Sequence, residues 1–346
     1  MSQDVSDLEL RFEELPLRLR LEGFTGETAR SIARQWVCPI SDANDDTEAY
    51  RVRLRKEPRL SFPSPSSLVT RRQTRLQVST VGSTTHLRMP GARMSFVAGR
   101  SGAEIEVHPH LLRYPGLMEL AAGGALGHAL ALTGASFLHG AAVIVDELPI
   151  LLLGAAGSGK STAAAAAITA GGQLVSDDSQ ILHPSASGRL AVRTLRRDLF
   201  LRKGSQGVLP TPWQKRLRRV GPATDPRWLL ERDDAAAAFR STLEPAALCV
   251  LRIDRRLKSF RLVALNQAVA FTSLLEANAS PHLLHPAFPG EQQRLLSLWS
   301  RLTSSLPTFE LRLGAALLES PAEILGELVN RLRTLSTKAP PPGSGA

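Results

Sequence analysis

A chain of 346 residues, 43% of them hydrophobic and 21% charged, carries enough apolar material for a sizeable core, which excludes a disordered or fibrous protein. Its formal net charge of +10 is mostly arginine scattered along the chain, and aromatics are only 5%; without a basic stripe interleaved with stacking rings, no nucleic-acid partner is expected. An acidic partner, either nucleotide phosphates or an acidic peptide, is the milder reading, beside a surface that is merely solvated. Cys38 and Cys249 make neither a disulfide framework nor a metal-ligand spacing, and the acidic opening MSQDVSDLELRFEE has no apolar signal core, so a cytoplasmic setting is expected.

Residues 8–22, LELRFEELPLRLRLE, alternate apolar and polar on both sides of Pro16, the period of half-buried strands. Thr25 offers a cap for a short helix over GETARSIARQW, and residues 42–46 read as a polar turn. Further alternating runs fall at residues 50–54, 74–78, 93–97 and 103–107, parted by Gly, Pro or Ser. Residues 1–115 are thus expected to form a small antiparallel β-rich domain with one helix, whose arginine-bearing faces either recognise an acceptor or are simply solvated outer faces.

From 115 to 133 the pattern turns helical. Residues 120–145 hold no formally charged side chain, but five glycines, two histidines and a threonine interrupt them before a β-branched run, so no membrane span is expected. Residues 139–145 read as a strand, 146–148 as a short connection and 149–153 as a buried strand, which together make a hairpin.

The most informative stretch comes next in the chain. Gly154-Ala155-Ala156-Gly157-Ser158-Gly159-Lys160-Ser161 satisfies G-x-x-x-x-G-K-[ST] between that strand and an alanine-rich helix over 161–170. Glycines let successive N–H groups turn inward onto phosphate oxygens, and the helix adds the positive end of its dipole. Residues 154–161 with Thr162 are therefore candidate ATP-binding residues, Lys160 reaching the β/γ-phosphates and the Ser161 hydroxyl lying on Mg²⁺. A glycine-rich turn before an ordinary helix is the plainer alternative, and the strand-loop-helix order weighs against it. Gly171-Gly172 ends the helix, and residues 173–176 form a short strand that stops at Asp177-Asp178. A metal ligand and a catalytic base are wanted there, although chemistry alone does not order the pair.

Residues 189–220 are rich in Arg and Lys and read as a mobile or substrate-facing excursion, or else as a surface loop. Strands are expected at 248–253, 261–264 and 308–313, and helices at 266–278 and 291–304. Ser320-Pro321-Ala322-Glu323 is a capping box opening a last helix with Ile324, Leu325, Leu328, Val329 and Leu332 as its apolar stripe. Residues 337–346 are too polar and proline-rich to fold. His282 with His285, and His108 with His110, flank prolines without a nearby Cys or carboxylate and are not expected to bind metal.

Over residues 139–178 the sequence resembles the catalytic domain of HPr kinase/phosphorylase: His139-Gly140 opening a strand, a second strand, the phosphate loop, a helix, and a strand ending in Asp177-Asp178. Weaker similarity runs to about residue 335, in the manner of the HPr-kinase-like peptide serine kinases of lasso-peptide clusters. The resemblance implies an α/β P-loop kinase domain of the HPr kinase/phosphoenolpyruvate carboxykinase type over residues 116–336, behind the β-rich domain. It implies Asp178 as general base, Asp177 with Ser161 at the metal, and His139 close to the phosphates; Asp178, Lys160 and His139 are then the catalytic set. The loop ends Lys-Ser-Thr where that family has Lys-Ser-Glu, and no Arg-Gly-x-Gly is found further along, which speaks against the reverse phosphorylase reaction and against HPr as acceptor. Hexamers in that family make a homo-oligomer worth testing.

The expected activity is an ATP- and Mg²⁺-dependent transfer of the γ-phosphoryl group to a serine of a peptide or small protein. The alternatives are a small-molecule kinase or carboxykinase relative, and a nucleotide-binding sensor without turnover; the carboxylate pair favours an enzyme, because a sensor needs no base.

Overall fold

The computed structural model describes residues 8–12, 15, 17–36, 40–42, 49–59, 69–70, 77–81, 84–89, 92–98, 101–109, 115–195, 198–220, 226–278 and 291–338. It is a mixed α/β structure with several sheets, divided into two compact units, Met1–Ser136 with Ala279–Leu296 and Phe137–Asn278 with Ser297–Ala346.

In the first unit, β1 (Leu8–Phe12) and β2 (Leu17–Glu22) pair antiparallel across the turn at Leu15, and their alternation buries Leu10, Phe12, Leu19 and Leu21. Helix α1 (Gly26–Gln35) starts where expected, with the Thr28 N–H donating to the Thr25 hydroxyl at 3.2 Å. Then come β3 (Ile40–Asp42), β4 (Tyr50–Lys56), β5 (Val69–Thr70), β6 (Gln77–Val81), β7 (Thr84–Met89), β8 (Ala92–Ala98) and β9 (Gly102–Val107), giving a sheet ordered β3-β1-β2-β4-β9-β8-β7-β6-β5.

The expected antiparallel sheet is in fact mixed, because β4 runs parallel to both β2 and β9. α1 lies between β2 and β4, and a helical crossover brings the chain back in the same direction, as a parallel neighbour requires. β3 and β5, of three and two residues, are too short to show a period, and β7, TTHLRM, has no clean apolar alternation. Helix α2 (Pro115–Leu132) packs on β2, β4, β8 and β9 and buries Ala122, Ala125, Leu126, Ala129 and Leu130. The division between units accordingly falls after Ser136 instead of at 115.

The second unit comprises β10 (Ser136–His139), β11 (Ala141–Val145), β12 (Leu148–Leu153), α3 (Lys160–Thr169), β13 (Gln173–Ser176), β14 (Ser179–Pro184), β15 (Leu190–Thr194), β16 (Asp198–Arg202), α4 (Thr211–Gln214), β17 (Arg218–Val220), β18 (Arg227–Glu231), β19 (Thr242–Leu243), β20 (Ala247–Ile253), β21 (Phe260–Ala264), α5 (Gln267–Ala277), α6 (Glu291–Ser305), β22 (Thr308–Leu313), α7 (Ala316–Glu319) and α8 (Pro321–Lys338). Its central sheet is ordered β13-β11-β12-β20-β22-β21. Asp146 and Glu147 take positive φ of 45° and 62°, a two-residue turn whose twist suits the β11–β12 hairpin. Ala163 to Ala167 of α3 are all buried, and only side chains this small let a helix be enclosed on every side by β11, β13, β16 and α8. The five stripe residues of α8 are buried in the same core.

Two further expectations do not hold. Residues 139–145 are two strands, β10 in a four-stranded sheet with β14 and β11 in the central one, because the chain changes sheet at Gly140. A Cβ there would lie 2.8 Å from Gln180 Nε2 and 2.9 Å from the Leu152 carbonyl oxygen. We expect Gly140→Ala to lower stability in a denaturant titration by about 1–3 kcal/mol, the usual cost of overpacking. The basic stretch 189–220 is no loose excursion: β16, β18 and β17 form a three-stranded sheet whose Leu199, Leu201 and Leu230 join the core around α3. Of residues 337–346, expected not to fold, 337 and 338 close α8, and 339–346 lie outside the described residues, as do Cys38, His110, His282 and His285. No described helix is long and apolar enough to cross a membrane.

Candidate active site

Strand directions assemble the site. β13 and β12 both run antiparallel to β11, so the chain ends of β12 and β13 and the start of β11 fall on one edge of the sheet. Loop 154–161, Asp177-Asp178 and His139-Gly140 meet there.

The loop residues Gly154, Gly157 and Gly159 take φ of 152°, 83° and 98°, a backbone that side chains rarely adopt. A Cβ on Gly154 would also meet the Leu251 carbonyl oxygen at 2.8 Å. Lys160 is buried and folds back over the loop, its Nζ donating to the carbonyls of Gly154 at 2.6 Å and Ala155 at 3.1 Å. Burial lowers its pKa, opposed by the charges of Asp178 and Asp177. The Ser158 hydroxyl oxygen is buried without a hydrogen-bond partner, a polar atom left inside the cradle for a ligand. Thr162 meets Ser205, with 2.8 Å between hydroxyl oxygens, which ties the turn after β16 to the first turn of α3.

The two aspartates sit in opposite environments. Asp177 is 5% exposed, and burial pushes its pKa up to about 7 although a hydrogen bond to Ser161 pulls the other way. Its Oδ2 accepts the Phe200 N–H at 3.2 Å, while Oδ1 is buried with no partner. The Asp178 side chain is 41% exposed, and its Oδ1 lies 2.9 Å from His139 Nδ1. His139 is fixed in turn by its backbone N–H, which donates to Asn278 Oδ1 at 2.6 Å. Asn278 is buried at the C-terminal end of α5 and donates to the Leu274 carbonyl. The Gly140 N–H donates to the Asp178 carbonyl at 2.9 Å, holding the two short segments together. His139 therefore touches the carboxylate expected to act as base, and Asn278, 139 positions away, was signalled by nothing in the sequence.

Ser161 and Asp177 suit Mg²⁺, because an orphaned carboxylate oxygen beside a hydroxyl leaves a hard, oxygen-only corner whose other ligands would be phosphates and water. Among the described residues no group of three or more His, Cys, Asp or Glu gathers. Cys249 is buried in the core, and burial pushes its thiol up to about 12, so it takes no part in chemistry.

No family model matches the chain, and no curated protein does. Among solved structures it is similar to the Hpr(Ser) kinase/phosphatase from Coxiella burnetii, with 13% sequence identity over 59% of this chain and 99% of that chain, at a TM-score of 0.31. A likeness at that level decides neither fold nor chemistry.

Proposed function

We propose that the chain is an ATP- and Mg²⁺-dependent kinase that moves the γ-phosphoryl group to a serine hydroxyl of a peptide or small protein. The observation that carries this reading is the contrast between the aspartates at the mouth of the loop: one buried with an orphaned oxygen, the other exposed and gripped by a histidine. A loop that only sensed nucleotide would need the cradle and not an oriented, solvent-facing carboxylate beside it.

In this reading the backbone N–H groups of residues 155–161 and Lys160 hold the triphosphate, and Ser161 with Asp177 seat the metal. Bound there, Mg²⁺ neutralises charge on the β- and γ-phosphate oxygens. Asp178 accepts the serine proton, His139 holds its carboxylate in place, and the Ser205–Thr162 contact keeps the basic turn of residues 202–203 beside the helix start. Calorimetric titration with ATP, with and without Mg²⁺, tests the cradle; mass spectrometry of a serine-peptide array incubated with ATP tests transfer. Binding without transfer to any peptide, but with transfer to a small hydroxy compound, would favour the small-molecule kinase.

Asp177 also sets a pH dependence for the metal-free protein. Its folded pKa of about 7 lies above the ordinary 3.8, so the proton is bound more tightly in the fold; the associated stability is fully present below about pH 4 and is lost as pH rises through 7. Asp177→Asn removes that loss. We expect it to raise the melting temperature of the metal-free protein at pH 8 clearly more than at pH 5, and at the same time to raise the Mg²⁺ concentration needed for half-maximal activity.

A further inference from the structure

The sheet edge farthest from β13 is built for a second ligand. Among the described residues β21 is the end strand, paired only with β22. The Gly314 N–H donates to Ser259 O at 2.7 Å and the Leu265 N–H to Thr308 O at 2.8 Å. Bonded and unbonded residues alternate along an antiparallel pair, so Ser259, Arg261, Val263 and Leu265 bond β22, and the N–H and C=O groups of Phe260, Leu262 and Ala264 point away along the edge. Among the described residues no strand takes them up, and Arg261, Val263 and Ala264 are exposed. Loop 254–259 is locked onto the end of β22, where a Cβ on Gly314 would lie 2.3 Å from both the Leu257 and Ser259 carbonyl oxygens, so the edge is displayed on a rigid support.

The two faces beside this edge differ. Directly opposite residues share a face, and the register sets Arg252, Arg312 and Arg261 in one row across β20, β22 and β21. Like charges so placed repel. Glu310 answers two of them, at 3.4 Å from Arg252 and 3.1 Å from Arg312, but Arg261 has no ion pair among the described residues and Arg312 Nε is buried without a partner. Arg255, Arg256 and Lys258 on the adjoining loop add charge against Asp254 alone. On the opposite face, Leu262 borders a groove of about 370 Å³ along α8, lined also by Glu327, Asn330, Arg331, Thr334 and Leu335.

We infer that the β21 edge binds an extended acidic peptide segment as an added strand, its carboxylates on the arginine row and its apolar side chains in the groove beside α8. Strand addition uses the free N–H and C=O row for affinity and the alternating side chains for selectivity. Nucleic acid fits less well, because no exposed aromatic ring is presented at this edge for base stacking. Resting on the kinase reading, the peptide is the segment of the acceptor next to its serine. Phe260 lies on the edge that carries the phosphate loop, since β21 is antiparallel to β22 and β22 parallel to β20 and β12. Three strand spacings separate β21 from β12, about 14 Å, which about five extended residues span.

The test uses fluorescein-labelled (Val-Glu)₄ and (Val-Lys)₄ peptides and a single-stranded U₁₀ RNA in anisotropy titrations of the full chain, with ATP affinity read on the same samples. We expect (Val-Glu)₄ to bind, more weakly as salt rises, and (Val-Lys)₄ not to bind. Arg261→Glu and Ala264→Pro should each weaken (Val-Glu)₄ at least tenfold with ATP affinity unchanged, since proline at 264 blocks an outward N–H and spares the β22 ladder. Equal binding by the variants, tighter binding of U₁₀ than of (Val-Glu)₄, or a wild-type dimer that Ala264→Pro dissociates would overturn the inference. A chain that binds this peptide and not ATP sinks the kinase and keeps the docking edge; one that binds ATP and not the peptide does the reverse.

Discussion

Asp178→Asn should leave Mg·ATP affinity within a few fold and lower phosphorylation of an acceptor by about a hundredfold or more, because a positioned base contributes about a hundred- to ten-thousandfold to such a transfer. Asparagine keeps the size of the side chain and removes its basicity. The surroundings sharpen the expectation: the Asp178 side chain is 41% exposed, its Oδ1 is held by His139 Nδ1 at 2.9 Å and its Oδ2 accepts from Ser179 Oγ at 3.4 Å. His139 is then a positioning residue. We expect His139→Ala to lower turnover less than Asp178→Asn does, with Mg·ATP affinity again retained, and the double variant to be no worse than Asp178→Asn alone. Such non-additivity is the mark of two groups acting as one unit. Turnover of Asp178→Asn at the wild-type rate would put the base elsewhere.

The contrast between what could and could not be read from the chain has a physical origin. The turn at residues 154–161 was legible because its signal is local: glycines at 154, 157 and 159 stand where the backbone takes positive φ. Thr25 as a cap and the stripe from Ile324 to Leu332 were legible for the same reason, since caps and helix faces are set by neighbours three or four positions away. The partner of His139 was not, because it depends on β11 lying between β12 and β13, an arrangement of strands that no single stretch encodes. Gly140 could be seen as glycine, but the reason for it, a Gln180 side chain forty positions on, could not. The basic stretch 189–220 misled by composition. Charge suggested a mobile or substrate-facing excursion or a surface loop, whereas the alternate leucines at 199 and 201 face the α3 core, Arg202 is exposed and Arg193 of β15 is buried. Chemistry alone did not order the aspartate pair and the resemblance did; the difference in burial between the enclosed Asp177 and the more open Asp178 comes from the fold.

The largest loss is expected at Lys160. Its side chain is held across the loop by the Gly154 and Ala155 carbonyls, and burial lowers its pKa against the opposing charges of Asp178 and Asp177. When a triphosphate enters, the same ammonium exchanges carbonyl partners for phosphate oxygens, and a charge-assisted bond of that kind contributes about 1.5–3 kcal/mol. Lys160→Ala should therefore weaken ATP about ten- to a hundredfold in a calorimetric titration. Turnover should fall further, by about a hundred- to a thousandfold beyond the binding loss, because charge on the transferred group is no longer met in the transition state. A second effect adds to the first. Lys160 is one of the groups that draw the Asp177 pKa down, so its removal leaves Asp177 more protonated at neutral pH and a poorer metal ligand. The deficit should consequently shrink when assays are moved from pH 7 to pH 8.5, where a larger share of Asp177 is ionised. Lys160→Arg should rescue little, since a planar guanidinium does not replace a compact ammonium that is buried against two loop carbonyls. An unchanged triphosphate affinity in Lys160→Ala would remove the phosphate-loop reading, and with it the kinase.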